Sequence, residues 1–166
     1  MFEPGQSWKT AALRASNYVC FFLKKGDYME KYMKIAYKEA EKAYKNGEVP
    51  VGAVIVKDNV VVSKAYNKKE KYQCTTKHAE IIAIEKACKK LKTWHLDDCE
   101  IYITMEPCMM CTGAIIQSRI KKIYYAIENE KFGYLNKIDT KKIKIVKGNM
   151  TLESAQLLQK FFQNKR

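Results

Sequence analysis

No apolar stretch in this 166-residue chain is long enough to cross a bilayer, which takes roughly 20 consecutive apolar residues. The longest candidate, residues 18–23, falls far short, so the protein is expected to be soluble, with no membrane partner. A secretory signal is lacking too. The apolar patch of residues 1–27 is followed by the basic pair Lys24-Lys25 where a signal would start basic, and no small-residue cleavage site comes after it. That stretch has a single acid before Asp27 and no sustained period. It is expected to be an N-terminal extension of unclear role, with a transit peptide or a misassigned start as the alternatives. Repeats and internal linkers are absent over residues 28–166, which suits one domain with one core. Acidic residues are scarce: 18 Asp and Glu stand against 31 Lys and Arg, a net charge of +13. Such a surplus points to an anionic partner, with nucleic acid the usual one. A lysine-rich composition alone gives the same balance. A disulfide framework is also lacking. Cys108 and Cys111 form a C-x-x-C pair, while Cys20, Cys74, Cys88 and Cys99 are scattered. Without a signal peptide that pattern favours metal or redox chemistry, and the cytoplasm is the expected compartment.

What is present reads as alternating helices and strands. Met29, Tyr32, Met33, Ala36, Ala40 and Ala43 recur at steps of three and four, which predicts a helix over residues 28–45 ended by Asn46-Gly47. Two β-branched runs within residues 49–66, with Asp58-Asn59 between them, predict a hairpin. Residues 67–76 read as a polar loop. A helix follows over 78–91, a strand over 99–105, a helix over 107–118, a strand over 122–127 and a weaker strand over 143–147. The last helix is expected over 151–163, capped by Thr151, with Leu152, Leu157, Leu158, Phe161 and Phe162 as its apolar stripe. This order makes a layered α/β domain.

Two fragments carry chemistry: His78-Ala79-Glu80 and Pro107-Cys108-Met109-Met110-Cys111. Cys108 and Cys111 lie three apart at a helix start, so they share a face, and thiolates gain from the positive end of a helix. His78 starts another helix. If the two starts meet, one imidazole and two thiolates converge. Three protein ligands and one open position are the arrangement of catalytic zinc. A fourth ligand for a structural site is missing, because His95 lies in another segment and the spare cysteines have no matching spacing. Water in the open position would be acidified by the metal, and a nearby carboxylate off the metal would move its protons. Glu80 suits that role provided His78 sits at the very first turn, since residues two apart do not share a helix face.

The two fragments together match the H-x-E…P-C-x-x-C pattern of the zinc deaminases that act on nucleobases. The resemblance narrows further. Glu48-Val-Pro-Val-Gly-Ala-Val-Ile-Val, Tyr66-Asn67, Thr76-Lys-His-Ala-Glu80, Met105-Glu-Pro-Cys-Met-Met-Cys111 and Thr112-Gly-Ala-Ile-Ile-Gln-Ser-Arg-Ile120 resemble the tRNA-specific adenosine deaminases, the bacterial TadA group above all. Glu128-Asn-Glu-Lys-Phe-Gly133 is more similar to the catalytic subunit of the eukaryotic two-subunit enzyme.

That resemblance implies a cytidine-deaminase-like three-layer α/β fold: a mixed five-stranded sheet with flanking helices. It implies one zinc per chain on His78, Cys108 and Cys111, and hydrolytic conversion of adenosine to inosine at the anticodon wobble position, with attack at C6 and Glu80 as proton shuttle. It implies a tRNA anticodon loop as partner and a homodimer. Asn67 would contact the flipped nucleoside, while Arg119, Lys131, Phe161 and Phe162 would lie near the anticodon loop. The chain departs from the bacterial pattern at Asn129, where aspartate is usual in a loop touching the substrate backbone. It departs again at Ala126, a common glycine, and after Gly133, where Tyr134-Leu-Asn-Lys replaces a Gly-Ser stretch. Two other functions are weighed beside this one. A free-base or nucleoside deaminase acting on guanine or cytosine would share the zinc motif without needing the positive charge. A non-catalytic RNA-binding subunit with a structural zinc would not need Glu80.

Overall fold

The computed structural model describes residues 25–139 and 142–165. The extension expected over residues 1–27 lies, up to residue 24, outside them, as does Cys20. The β-branched runs pair as the expected hairpin. Strand β1 (Gly52–Lys57) and strand β2 (Val60–Tyr66) are antiparallel. Asp58 and Asn59 both take positive φ, 50° and 61°, as a two-residue turn matched to strand twist requires.

Three more strands complete the sheet. Strand β3 (Cys99–Met105) runs antiparallel to β1, and β4 (Lys122–Ile127) and β5 (Lys144–Lys147) run parallel to β3. The order is β2-β1-β3-β4-β5, the mixed five-stranded sheet that was expected. Side chains alternate between its faces with the strand period. Val54, Val56, Tyr102, Tyr124 and Ala126 meet Tyr32, Met33 and Ala36 of helix α1 (Lys25–Lys45). Gly52 has no room for a Cβ, which would meet the backbone of Ala36 and Ala40, so α1 lies close on β1.

Ala53, Ile55, Ile101, Ile103 and Ile123 point the other way. They pack with Ala79, Ile82, Ala83 and Ala87 of helix α3 (Ala79–Leu91) and Ile115 of helix α4 (Met109–Gln117). The sheet is therefore covered on both faces. Helix α5 (Thr151–Gln163) closes the described chain.

The structure corrects three expectations. The loop over residues 67–76 contains a short helix, α2 (Lys69–Tyr72). Thr151 does not cap α5: the N-cap is Met150 at φ 68°, and the Thr151 hydroxyl donates to the Ala126 carbonyl at 3.0 Å. The apolar stripe of α5 is only partly used, since Phe161 is buried while Leu152 and Phe162 stay exposed. Its hydrophobic residues outnumber the positions that reach the sheet. Among the described residues no helix is long and apolar enough to cross a membrane, and Cys74, Cys88, Cys99, Cys108 and Cys111 are free.

Candidate active site at two helix starts

The two chemical fragments meet where α3 and α4 begin. Asn67, 7% exposed, fixes the first start. Its Nδ2 donates to the Val49 carbonyl at 3.2 Å, and its Oδ1 accepts from the Ala79 backbone N–H at 2.8 Å. The amide that opens α3 is thus held by a side chain from the end of β2. His78 is the N-cap, with extended backbone (φ −77°, ψ 154°), and Glu80 sits in the first turn. That change of backbone at residue 78 lets the imidazole and the carboxyl serve one site although they are two residues apart.

Cys108 caps α4 in the same way (φ −73°, ψ 174°), and Cys111 lies one turn in. His78 Nδ1 stands 3.5 Å from Cys111 Sγ and 3.8 Å from Cys108 Sγ. The ligand atoms of His78, Cys108 and Cys111 all lie within 4.8 Å of one another, a group that could hold a metal ion. The two sulfurs divide unequally. The hydrogen bond from Cys111, with His78 beside it, brings the Cys108 thiol down to about 4. The same bond and burial push the Cys111 thiol up. Hydrogen bonding to Cys108 also raises His78.

Glu80 is 4% exposed, and its Oε2 has no hydrogen-bond partner. Buried polar atoms are nearly always paired; among the described residues this oxygen and the Ser154 hydroxyl are the two buried side-chain atoms without a partner. Burial pushes the carboxyl above its ordinary range.

Two further glutamates shape the surroundings, and spacing gave no signal for either. Glu48, 1% exposed, accepts the backbone N–H groups of Glu70 (3.0 Å) and Lys71 (2.8 Å), holding α2 in the loop that leads to His78. Glu106, two residues before Cys108, accepts those of Asn129 and Leu135, each at 3.1 Å. The loop between β4 and β5 is a parallel crossover without a long helix, so it needs such tethers. Gly133 pairs with Cys108 in an isolated bridge, and a Cβ there would strike the Glu106 carboxyl. Asn129 folds the loop on itself, its Oδ1 accepting from the Phe132 N–H at 3.0 Å.

The remaining expected contacts lie outside the donor group. Lys131 is exposed on that same loop. Arg119 follows the far end of α4, about 14 Å along the axis from its start, at φ 66° with its guanidinium over Trp94. Phe161 is 4% exposed and packs against Tyr44, while Phe162 is half exposed.

A mixed sheet of this order, with such a donor group at two helix starts, defines the cytidine-deaminase-like class. The MafB19-like deaminase family model matches residues 28–166, and the chain belongs to that family. Its relatives include tRNA-specific adenosine deaminases. The one from Bacillus subtilis is 38% identical over 82% of this chain and 90% of its own length. The one from Aquifex aeolicus is 46% identical over 63% and 69%. Among solved structures, a tRNA:A34 deaminase studied for A-to-I editing at the wobble position superposes with a TM-score of 0.74 at 34% identity, covering 78% of this chain and 99% of that one. The guanine deaminase of Bacillus subtilis gives 0.59 at 33% identity, over 79% and 93%.

Proposed function

We propose that this protein hydrolyses adenosine to inosine at the wobble position of a tRNA anticodon, using one zinc ion on His78, Cys108 and Cys111. The observation that carries the reading is the convergence of those three donors beside a buried carboxyl with an unpartnered oxygen. The donor set fits the metal. One imidazole and two sulfurs are ligands zinc takes, and their ligand atoms lie within 4.8 Å of one another.

Zinc bound there supplies a Lewis acid and an acidified water. The chain's own groups do the rest. Glu80 takes a proton from the attacking water and delivers it to N1 of the adenine, then moves the second proton to the departing amine. Water oxygen becomes the O6 of inosine, the C6–N6 bond breaks and ammonia leaves. The Asn67 side chain keeps the first turn of α3 in place, which holds Glu80 at the reacting atoms, and its second Nδ2 hydrogen serves the flipped nucleoside. The anticodon loop is single-stranded already, so extruding the base costs little. The net charge of +13 suits RNA rather than a neutral free base.

The rest of the assignment follows from the same resemblance. The catalytic unit is residues 28–166, the span the family model matches. The chain acts as a homodimer in the cytoplasm, and Arg119, Lys131 and Phe162 are offered to the RNA from outside the donor group, with Phe161 packed beneath. Inosine formation in an arginine-tRNA anticodon stem-loop tests the reading, with zinc-loaded protein. The wild type is expected to make inosine and Glu80→Gln to make none. Ammonia release from guanine with no inosine in RNA would instead place the chain beside the guanine deaminases.

A further inference from the structure

Single exposed aromatic rings are ordinary on a protein surface, so what matters is where two of them sit and what surrounds them. Tyr72 is 55% exposed and Phe132 is 62% exposed. Each belongs to a loop that borders the donor group. Tyr72 ends α2, in the loop that runs into His78. That loop is closed by the Lys68 N–H on the Lys77 carbonyl at 2.9 Å. Phe132 directly precedes Gly133, which is bridged to Cys108.

Both rings are dressed with cations. Lys68 Nζ lies 5.1 Å from the Tyr66 ring and 5.8 Å from the Tyr72 ring, and Lys71 Nζ lies 5.8 Å from Tyr72. On the other loop Lys131 stands 5.2 Å from the Phe132 ring and Lys137 5.7 Å from the Tyr134 ring. Both loops are also fixed in advance. Glu48 takes two backbone amides of the first, and Glu106 takes two of the second. Neither ring belongs to a hydrophobic cluster of the core.

We propose that Tyr72 and Phe132 are stacking platforms for the unpaired nucleotides on either side of the reacting adenosine, with Lys68, Lys71, Lys131 and Lys137 on the phosphates between them. The inference rests on the tRNA-deaminase reading and names the part of this surface that grips the strand. Single-stranded nucleic acid is held in this way, by rings that take any base and cations that follow the backbone. The clamped loops explain why the grip needs no ordering on binding: four backbone amides are anchored to side chains before RNA arrives, so less entropy is lost.

The experiment measures binding of the zinc-loaded protein to an RNA stem-loop with an unpaired anticodon loop, by fluorescence anisotropy at low salt. Tyr72→Ala and Phe132→Ala are each expected to weaken binding by about 5- to 150-fold, with zinc content and circular dichroism unchanged. Phe132→Trp is expected to restore the grip and to report on it, because the new indole loses emission when a base stacks on it. Inosine formation by the wild type is followed alongside. Inosine made by a wild type that both alanine variants match in affinity, with no quenching in Phe132→Trp, would overturn the stacking assignment alone. A wild type that neither binds the RNA nor makes inosine would overturn the tRNA reading and this inference with it.

Discussion

Glu39, Glu48 and Glu80 are all nearly inaccessible to water, at 4%, 1% and 4% exposure, yet they are satisfied in three different ways. On the α1 face of the sheet Glu39 is answered by charge, with Lys42 at 2.6 Å and Lys64 at 3.8 Å. On the loop before β1 Glu48 is answered by two backbone amides. At the donor group one oxygen of Glu80 is answered by nothing. Burial alone therefore says little about a carboxyl. What sets Glu80 apart from the other two is the partner one of its oxygens lacks. Glu48 uses both of its oxygens and Glu39 is answered at Oε1, whereas a proton carrier would need an oxygen free for the substrate.

The largest effect expected from breaking this contrast is at the donor group. Cys108→Ala takes away one donor of the proposed metal site and is expected to lose the metal, and since site formation and folding are coupled, both activity and thermal stability should fall. Elemental analysis showing one zinc per chain in that variant would refute the ligand set. Glu80→Gln should keep zinc and melting temperature while turnover falls by at least about 100-fold, the usual scale of acid–base assistance. A variant that loses stability instead would mean Glu80 is a structural carboxyl like Glu48.

Next comes Glu48→Ala, which should act in the opposite sense, on the frame before the chemistry. Two backbone amides on a solvent-exposed turn lose their acceptor, at about 0.5–1.5 kcal/mol each, so the melting temperature should drop by several degrees. Zinc should stay bound. Glu48→Gln retains one acceptor oxygen and should recover part of the loss, which thermal denaturation can follow. Gly133→Ala is a sharper probe of the second loop. Its methyl would strike Glu106 and the Asn129 carbonyl, so the loop must shift. RNA affinity should fall more than stability, and equal loss of both would argue that the loop is only a lid on the core.

The sequence made the donor group legible because its residue types are rare. With two histidines in the chain, a His-x-Glu and a C-x-x-C that each open a helix leave little choice of partner. The sheet was legible for a different reason: period-2 alternation in Val54, Tyr102 and Tyr124 against Ile55, Ile101 and Ile123 reports two covered faces. What stayed hidden depended on contacts between segments far apart in the chain. Glu48 reaches 22 residues to Glu70, and Glu106 reaches 29 to Leu135, and no local pattern marks a glutamate that binds backbone amides. Thr151 misled because a threonine before a helical stripe looks like a cap, while its hydroxyl had a closer acceptor on β4. The apolar stripe of α5 misled likewise, since hydrophobic spacing shows which residues share a face and not how much of that face finds a partner.

The smallest effect should come from Glu39→Gln, and its smallness is informative. Glu39 is as buried as Glu80, so burial by itself would forecast a large change. Its partners decide otherwise. The Lys42 and Lys64 side chains are 50% and 55% exposed, so water screens much of the attraction and the pair behaves as a surface one, worth about 0–1 kcal/mol. Glutamine keeps the shape and one acceptor oxygen for the ammonium of Lys42. The variant should melt within about 4 °C of the wild type and should lose most of its difference when salt is raised. A drop as deep as that of Glu48→Ala, unmoved by salt, would show that the protein treats Glu39 as a buried ion after all. The ranking of the three carboxyls would then have to rest on depth rather than on partners.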